Sequence, residues 1–151
     1  MKEQKEITTT IDELIETLKD GKEGFKQAAE GVKDSQLKSL FNEYSNQRSL
    51  FASELQAQAR SLGKSDPETS SSPAGALHRA WINLKSAVTK GDDHAILAEC
   101  ERGEDSAVEQ YRKAMENNLP APLSEIVSRQ YTDIISAHDR IRNLRDTAKT
   151  S

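Results

Sequence analysis

Apolar residues recur three or four positions apart along four long segments of this 151-residue chain. That spacing places them on one side of an α-helix. Gly63, Gly91 and Pro120 separate the segments, at positions where helices end. We predict long helices at about 10–32, 35–62, 92–117 and 122–146. The first two are joined by so few residues that they must be antiparallel neighbours, which predicts an all-α four-helix bundle.

The composition is typical of one domain built from long solvated helices. Hydrophobic residues make up 34% of the chain and charged residues 30%, so the apolar stripes are narrow. We expect a single domain over residues 9–147, which is long enough to bury a core. We expect frayed tails at 1–8 and 148–151. Thr10 with Glu13, or Thr9 with Asp12, resembles a capping box and predicts a helix start near that point.

Charge and hydropathy exclude several classes of partner. The net charge of -4 gives no electrostatic case for nucleic acid. No apolar run approaches the length of a membrane span, and the segment from Met1 to Glu6 lacks the apolar core of a signal peptide. Cys100 is the only cysteine, so no intramolecular disulfide can form. These features favour a cytoplasmic protein without nucleic acid, membrane or cofactor.

The connector between the second and third long helices, 63–91, predicts a crossover. Ser72 and Pro73 form a helix start, and one apolar stripe follows at Leu77, Trp81, Leu84 and Val88. A helix over 73–90 spans ~27 Å, close to the length of a bundle. The connector can therefore run from end to end and make the flanking long helices parallel. The rival is an up-down-up-down bundle in which 73–117 is one kinked helix.

Polar side chains interrupt the apolar stripes at one level of the predicted bundle. With a crossover, they fall within about 7 Å of helical rise near its middle. They are Asp20, Arg48, Glu101, Glu104 and His138. A buried acid needs a cation, a metal or a proton, so this layer is the candidate functional site.

Two interpretations of the layer compete. The favoured one is a buried polar network in which Arg48 pairs with Glu104 or Asp20, and His138 with Glu101. The alternative is a dinuclear metal site made by the four residues other than Arg48. Such sites take Glu-x-x-His from each of two helices, and no histidine here has a glutamate three positions before it. Arg48 also brings a positive charge to the place of the cation. We therefore predict no bound metal.

Several short runs together resemble a known family. They are Asp20-Gly21, Gln47-Arg48, Trp81, Glu99-Cys100-Glu101-Arg102-Gly103-Glu104-Asp105, His138-Asp139 and Leu144-Arg145-Asp146. Over about residues 8–147 the chain resembles a bacterial family of uncharacterised ferritin-like four-helix-bundle proteins, known as a domain of unknown function. The resemblance implies a ferritin-like fold and nothing firm about activity.

These observations lead to a functional hypothesis without a catalytic residue. We expect a non-enzymatic bundle with a structural or interaction role, which the resemblance loosely associates with stress. Its partner would be an unknown protein or a second copy of the chain. The runner-up is a metal-binding, oxidase-like bundle that uses Asp20, Glu101, Glu104 and His138. A bundle that binds a ligand in a cavity beside the polar layer is a third alternative.

Overall fold

The computed structural model describes residues 2–63, 81 and 83–150, and these form helices joined by short turns. Within that part of the chain there are five helices and no strand. They are α1 (Lys2–Gly31), α2 (Ser35–Ser61), α3 (Leu84–Lys90), α4 (Asp93–Glu116) and α5 (Leu123–Thr150). The predicted all-α bundle is confirmed.

The terminal helices are longer than the sequence pattern indicates. α1 begins at Lys2 instead of near Thr10, and α5 continues to Thr150, so helix extends into both segments expected to fray. Thr10 is therefore not a cap. Its hydroxyl donates to the carbonyl oxygen of Glu6 at 2.9 Å, a bond that threonine makes inside helices. The extent of the domain, 9–147, stays a prediction.

Side-chain caps and one glycine set the inner helix ends. The carboxylate of Asp34 accepts from the backbone N–H of Gln36 at 2.7 Å, and that of Asp92 accepts from His94 at 3.0 Å. Both bonds satisfy amides that a helix start leaves unpaired. Gly91 ends α3 in the left-handed region, with φ of +68°. Because of this break, 84–116 is not one straight helix.

Two contacts at opposite ends of the bundle define its topology. The carboxylate of Asp93 accepts from the backbone N–H of Lys33 at 2.9 Å, so α4 begins where α1 passes into α2. At the other end, the Asn117 amide donates to the Thr10 hydroxyl at 3.1 Å. α4 therefore runs antiparallel to α1. Since α2 is also antiparallel to α1, α2 and α4 are parallel, as in bundles with one long crossover.

Trp81 anchors the described end of the crossover against α1 and α4. Its indole fills the space between Gly24 and Gly103, where an added Cβ on either glycine would overlap the ring. Farther along, a Cβ on Gly31 would lie 2.7 Å from Val88 Cγ1. α3 therefore runs parallel to α1 and antiparallel to α4. The predicted helix start at Pro73 and the contact of Leu77 lie outside the described residues.

Two apolar clusters occupy the two halves of the bundle. The first surrounds Phe25, whose ring centroid lies 5.9 Å from that of Phe41 and 5.3 Å from those of Tyr44 and Trp81. The second cluster includes Ile11, Leu14, Ile15, Leu18, Phe51, Leu55, Tyr111 and Ile134. The candidate polar layer falls between them. None of the described helices combines the length and apolarity needed to cross a membrane.

Candidate functional site

Arg48 lies at the centre of the polar layer. It stands on α2 between Tyr44 and Phe51, positions that both face the core, and only 1% of its surface is exposed. Its guanidinium carbon is 5.3 Å from the centroid of the Phe25 ring, within the range of a cation–π contact. Its Nε–H donates to Gln47 Oε1 at 3.1 Å. The helical register of α2 therefore places the positive charge of Arg48 inside the bundle.

Glu104 on α4 supplies the matching negative charge. Arg48 Nη1 donates to Glu104 Oε1, and Nη2 donates to Oε2 at 2.7 Å. Glu104 is fully buried. Burial lowers the pKa of the Arg48 guanidinium, but the charge and hydrogen bonds of Glu104 outweigh it, so the pKa is raised. The result is a two-pronged ion pair that joins the two parallel helices α2 and α4.

A second buried polar pair, Tyr111 with Gln130, lies about two helical turns beyond Glu104 along α4. The Tyr111 hydroxyl donates to Gln130 Oε1 at 2.6 Å, and Gln130 Nε2 donates to Glu54 Oε1 at 3.0 Å. Glu54 in turn accepts from Arg129 at 2.6 Å, nearer the surface. Burial raises the pKa of Tyr111, so the phenol stays protonated. A periodic pattern of apolar residues does not predict this bond between Tyr111 and Gln130.

Asp20 does not join the Arg48–Glu104 pair. It is half-buried on α1, and its Oδ1 finds no hydrogen-bond partner among the described residues. Burial, followed by the negative charge of Glu16 one turn away, raises the pKa of Asp20 to about 7. The sequence left the choice between Asp20 and Glu104 open because it depends on how far α1 is rotated about its own axis.

Glu101 and His138 lie between α4 and α5 and have different partners from those predicted. Glu101 forms an ion pair with Arg145 Nη1. His138 Nε2 lies 2.5 Å from Asp105 Oδ1, and its Nδ1 lies 3.2 Å from Asp139 Oδ1. The predicted pairing of His138 with Glu101 is therefore replaced. Neither Arg145 nor Asp105 is among the partners that the sequence predicts for these two residues.

These partners decide whether the residues fit the metal site of the alternative interpretation. Both oxygens of Glu104 bind Arg48, and Glu101 binds Arg145. The two ring nitrogens of His138 point in opposite directions, each toward an aspartate. In the part of the chain that the structure describes, no three histidine, cysteine, aspartate or glutamate side chains converge to hold a metal ion. The residues present do not fit a dinuclear carboxylate centre.

Fold and site together define an all-α bundle with one crossover, in which a buried ion pair occupies the middle layer. The chain belongs to the protein family described as a domain of unknown function (DUF2383), whose profile matches residues 6–117. The matched region runs from α1 to the end of α4 and leaves α5 outside it. The predicted membership in an uncharacterised helical family is confirmed. No curated protein matches the sequence.

Proposed function

We propose that this ferritin-like bundle has a non-enzymatic role in the cytoplasm, structural or through an interaction, and that the role is associated with stress. The observation that carries the proposal is the Arg48–Glu104 ion pair. Arg48 is 1% exposed and Glu104 fully buried, and each uses the other as its partner. The two most deeply buried charged side chains of the described residues thus hold helices together.

The energetics of buried ion pairs support a structural role. Removing one partner leaves an uncompensated buried charge and costs about 3–5 kcal/mol, whereas replacing both by apolar side chains of similar volume is often neutral. What the pair adds is specificity, because only one axial register of α2 and α4 joins the guanidinium to the carboxylate. A polar contact of this type favours one register of the two helices over shifted packings.

The interaction part of the proposal concerns another protein or a second copy of the chain. Leu50 on α2 is 68% exposed and Met115 on α4 is 43% exposed. Each is a single apolar side chain and defines no patch by itself. The oligomeric state is therefore the first quantity to measure, by size exclusion with light scattering over a hundredfold range of protein concentration.

A complementation experiment tests the role. Cells of the source organism that lack the gene are grown under oxidative, salt and acid stress and supplied with wild-type protein or with the Arg48→Met/Glu104→Leu double variant. We expect both proteins to restore growth equally, because the double variant keeps the packing and loses the charges. A double variant that folds, as judged by circular dichroism, but fails to restore growth would assign the pair a chemical role and overturn the proposal.

A further inference from the structure

A cleft between α1 and α2 lies beside the polar layer and shares only Arg48 with the site described above. Its volume is about 300 Å³, at the lower end of the range for small-molecule sites. Arg48, which is 1% exposed, forms its inner wall. The other lining residues are Lys19, Lys22, Ser49, Ala52, Ser53 and Gln56. The small side chains on α2 leave room between the two helices.

The charges that line the cleft are all positive. Lys19, Lys22 and Arg48 contribute to it, whereas no aspartate or glutamate does. α2 has no acidic residue from position 44 to 53. The next acid, Glu54, turns toward α5, where it binds Arg129. Glu104 already pairs with Arg48, so the two lysines carry the positive charge that the cleft presents, on a chain whose net charge is -4.

The lining side chains also supply hydrogen-bond donors. Ser49 and Ser53 stand four positions apart on α2, so their hydroxyls lie on one face of the helix. Arg48 has five N–H groups, and its bonds to Gln47 and Glu104 use three of them. Ammonium and guanidinium groups with hydroxyls are the donors that bind phosphate oxygens.

We propose that this cleft binds a small molecule through a phosphate group, a role beyond the structural function proposed above. The phosphate oxygens accept from Lys19, Lys22 and the two serine hydroxyls. The remaining volume, beside Ala52 and the apolar stems of the lysines, holds the organic part of a phosphomonoester. A binding role of this kind leaves the Arg48–Glu104 pair intact, because the guanidinium keeps its bonds to the carboxylate.

The test uses the purified full chain and three probes, which are inorganic phosphate, glycerol 3-phosphate and glycerol. Each is titrated at constant ionic strength in a chloride buffer, and backbone amide shifts are followed by NMR. We expect saturable shifts confined to residues 19–22 and 49–56 with both phosphate compounds and none with glycerol. Binding of glycerol 3-phosphate should be at least threefold tighter than that of inorganic phosphate.

Matched variants separate a built site from general attraction to positive charge. Lys19→Gln/Lys22→Gln should weaken binding at least tenfold, while Lys26→Gln/Lys85→Gln removes the same charge from exposed positions outside the cleft and should leave binding unchanged. Ser53→Ala should weaken binding without altering the net charge. Equal losses in both lysine pairs, shifts that do not saturate, or shifts mapped to another surface would overturn the proposal. None of these outcomes bears on the complementation experiment, so the two proposals fail independently.

Discussion

At the scale of single residues, the Arg48–Glu104 pair makes the sharpest prediction about stability. Arg48→Ala leaves the fully buried Glu104 carboxylate without its cation and should lower the free energy of unfolding by about 3–5 kcal/mol. Arg48→Met/Glu104→Leu should recover most of that loss because no charge is then stranded. Urea denaturation of the wild type, Arg48→Met, Glu104→Leu and the double variant gives the coupling energy. A coupling energy near zero would mean that Arg48 and Glu104 do not form the ion pair in solution.

The raised pKa of Asp20 predicts how the stability of the protein depends on pH. Its pKa of about 7 in the folded protein exceeds the value of about 3.9 in an unfolded chain, so the folded state binds more protons between the two values. The stability contributed by the protonated form is complete below pH 4 and is lost as pH rises through 7. Asp20→Asn should therefore stabilise the protein at pH 8, by about 1–2 kcal/mol after allowance for partial exposure.

The measurement for Asp20 is the free energy of unfolding at pH 4.5, 6 and 8. The difference between Asp20→Asn and wild type should grow with pH and level off above 7. Glu23→Gln removes an exposed carboxylate three residues along the same helix and serves as the control. A constant difference across this pH range would show that Asp20 titrates normally.

The residue scale also shows where sequence reasoning ends. The place of Arg48 on the apolar stripe of its helix is enough to predict that it is buried and that it needs an acid on another helix. The partners of His138 and Glu101 could not be predicted, because they depend on which of several nearby charged side chains turns toward them. Arg145 and Asp105 reach these residues through long or edge-placed side chains whose rotamers no periodicity encodes.

At the scale of helices, the glycines of α1 differ in a way that the pattern alone does not reveal. A Cβ on Gly21 would meet Arg48 Cγ at 3.6 Å, an ordinary contact, whereas a Cβ on Gly24 would overlap the indole of Trp81. Gly21→Ala should therefore raise the free energy of unfolding by up to about 1 kcal/mol through helix propensity. Gly24→Ala should lower it by about 1–3 kcal/mol through overpacking.

Tryptophan fluorescence distinguishes these two glycine variants, because Trp81 is the only tryptophan in the chain. In the wild type it is 8% exposed and should emit at short wavelength. Gly24→Ala, and likewise Gly103→Ala on the facing helix, should shift the emission to longer wavelength and increase quenching by iodide. Gly21→Ala should leave both unchanged. A Gly24→Ala variant with wild-type emission would mean that the glycine slot does not hold the indole.

The ends of the inner helices were predictable because they depend on local signals. Caps at Asp34 and Asp92 and the break at Gly91 are encoded by residue types with known conformational preferences. The start of α1 was not predictable from its capping pattern. Thr9, Thr10, Asp12 and Glu13 resemble a helix start, yet Thr10 instead returns a bond to Glu6 within a helix that begins earlier. A capping motif does not begin a helix when the residues before it are already helical.

At the scale of the whole molecule, contacts at the two ends of the bundle, rather than the ion pair in its middle, establish that α2 and α4 are parallel. The length of the 63–91 connector predicts that arrangement. In an up-down-up-down bundle the same two helices would run antiparallel, and Arg48 and Glu104 would still stand near mid-helix. The contacts at the ends distinguish the two cases, since Asp93 meets Lys33 only when α4 begins beside the α1–α2 turn.

The same arrangement predicts the response of the protein to metal. Glu104 and Glu101 each hold an arginine, and the two nitrogens of His138 face separate aspartates, so a divalent ion would have to displace several ion pairs at once. Breaking the buried pair alone costs about 3–5 kcal/mol. After anaerobic loading with ferrous iron and desalting, we expect far less than one iron per chain by elemental analysis. Glu104→Gln and His138→Ala should retain as little as wild type. Near-stoichiometric iron in the wild type that is lost in either variant would replace the structural role with the dinuclear alternative, because only specific ligation would depend on those two residues.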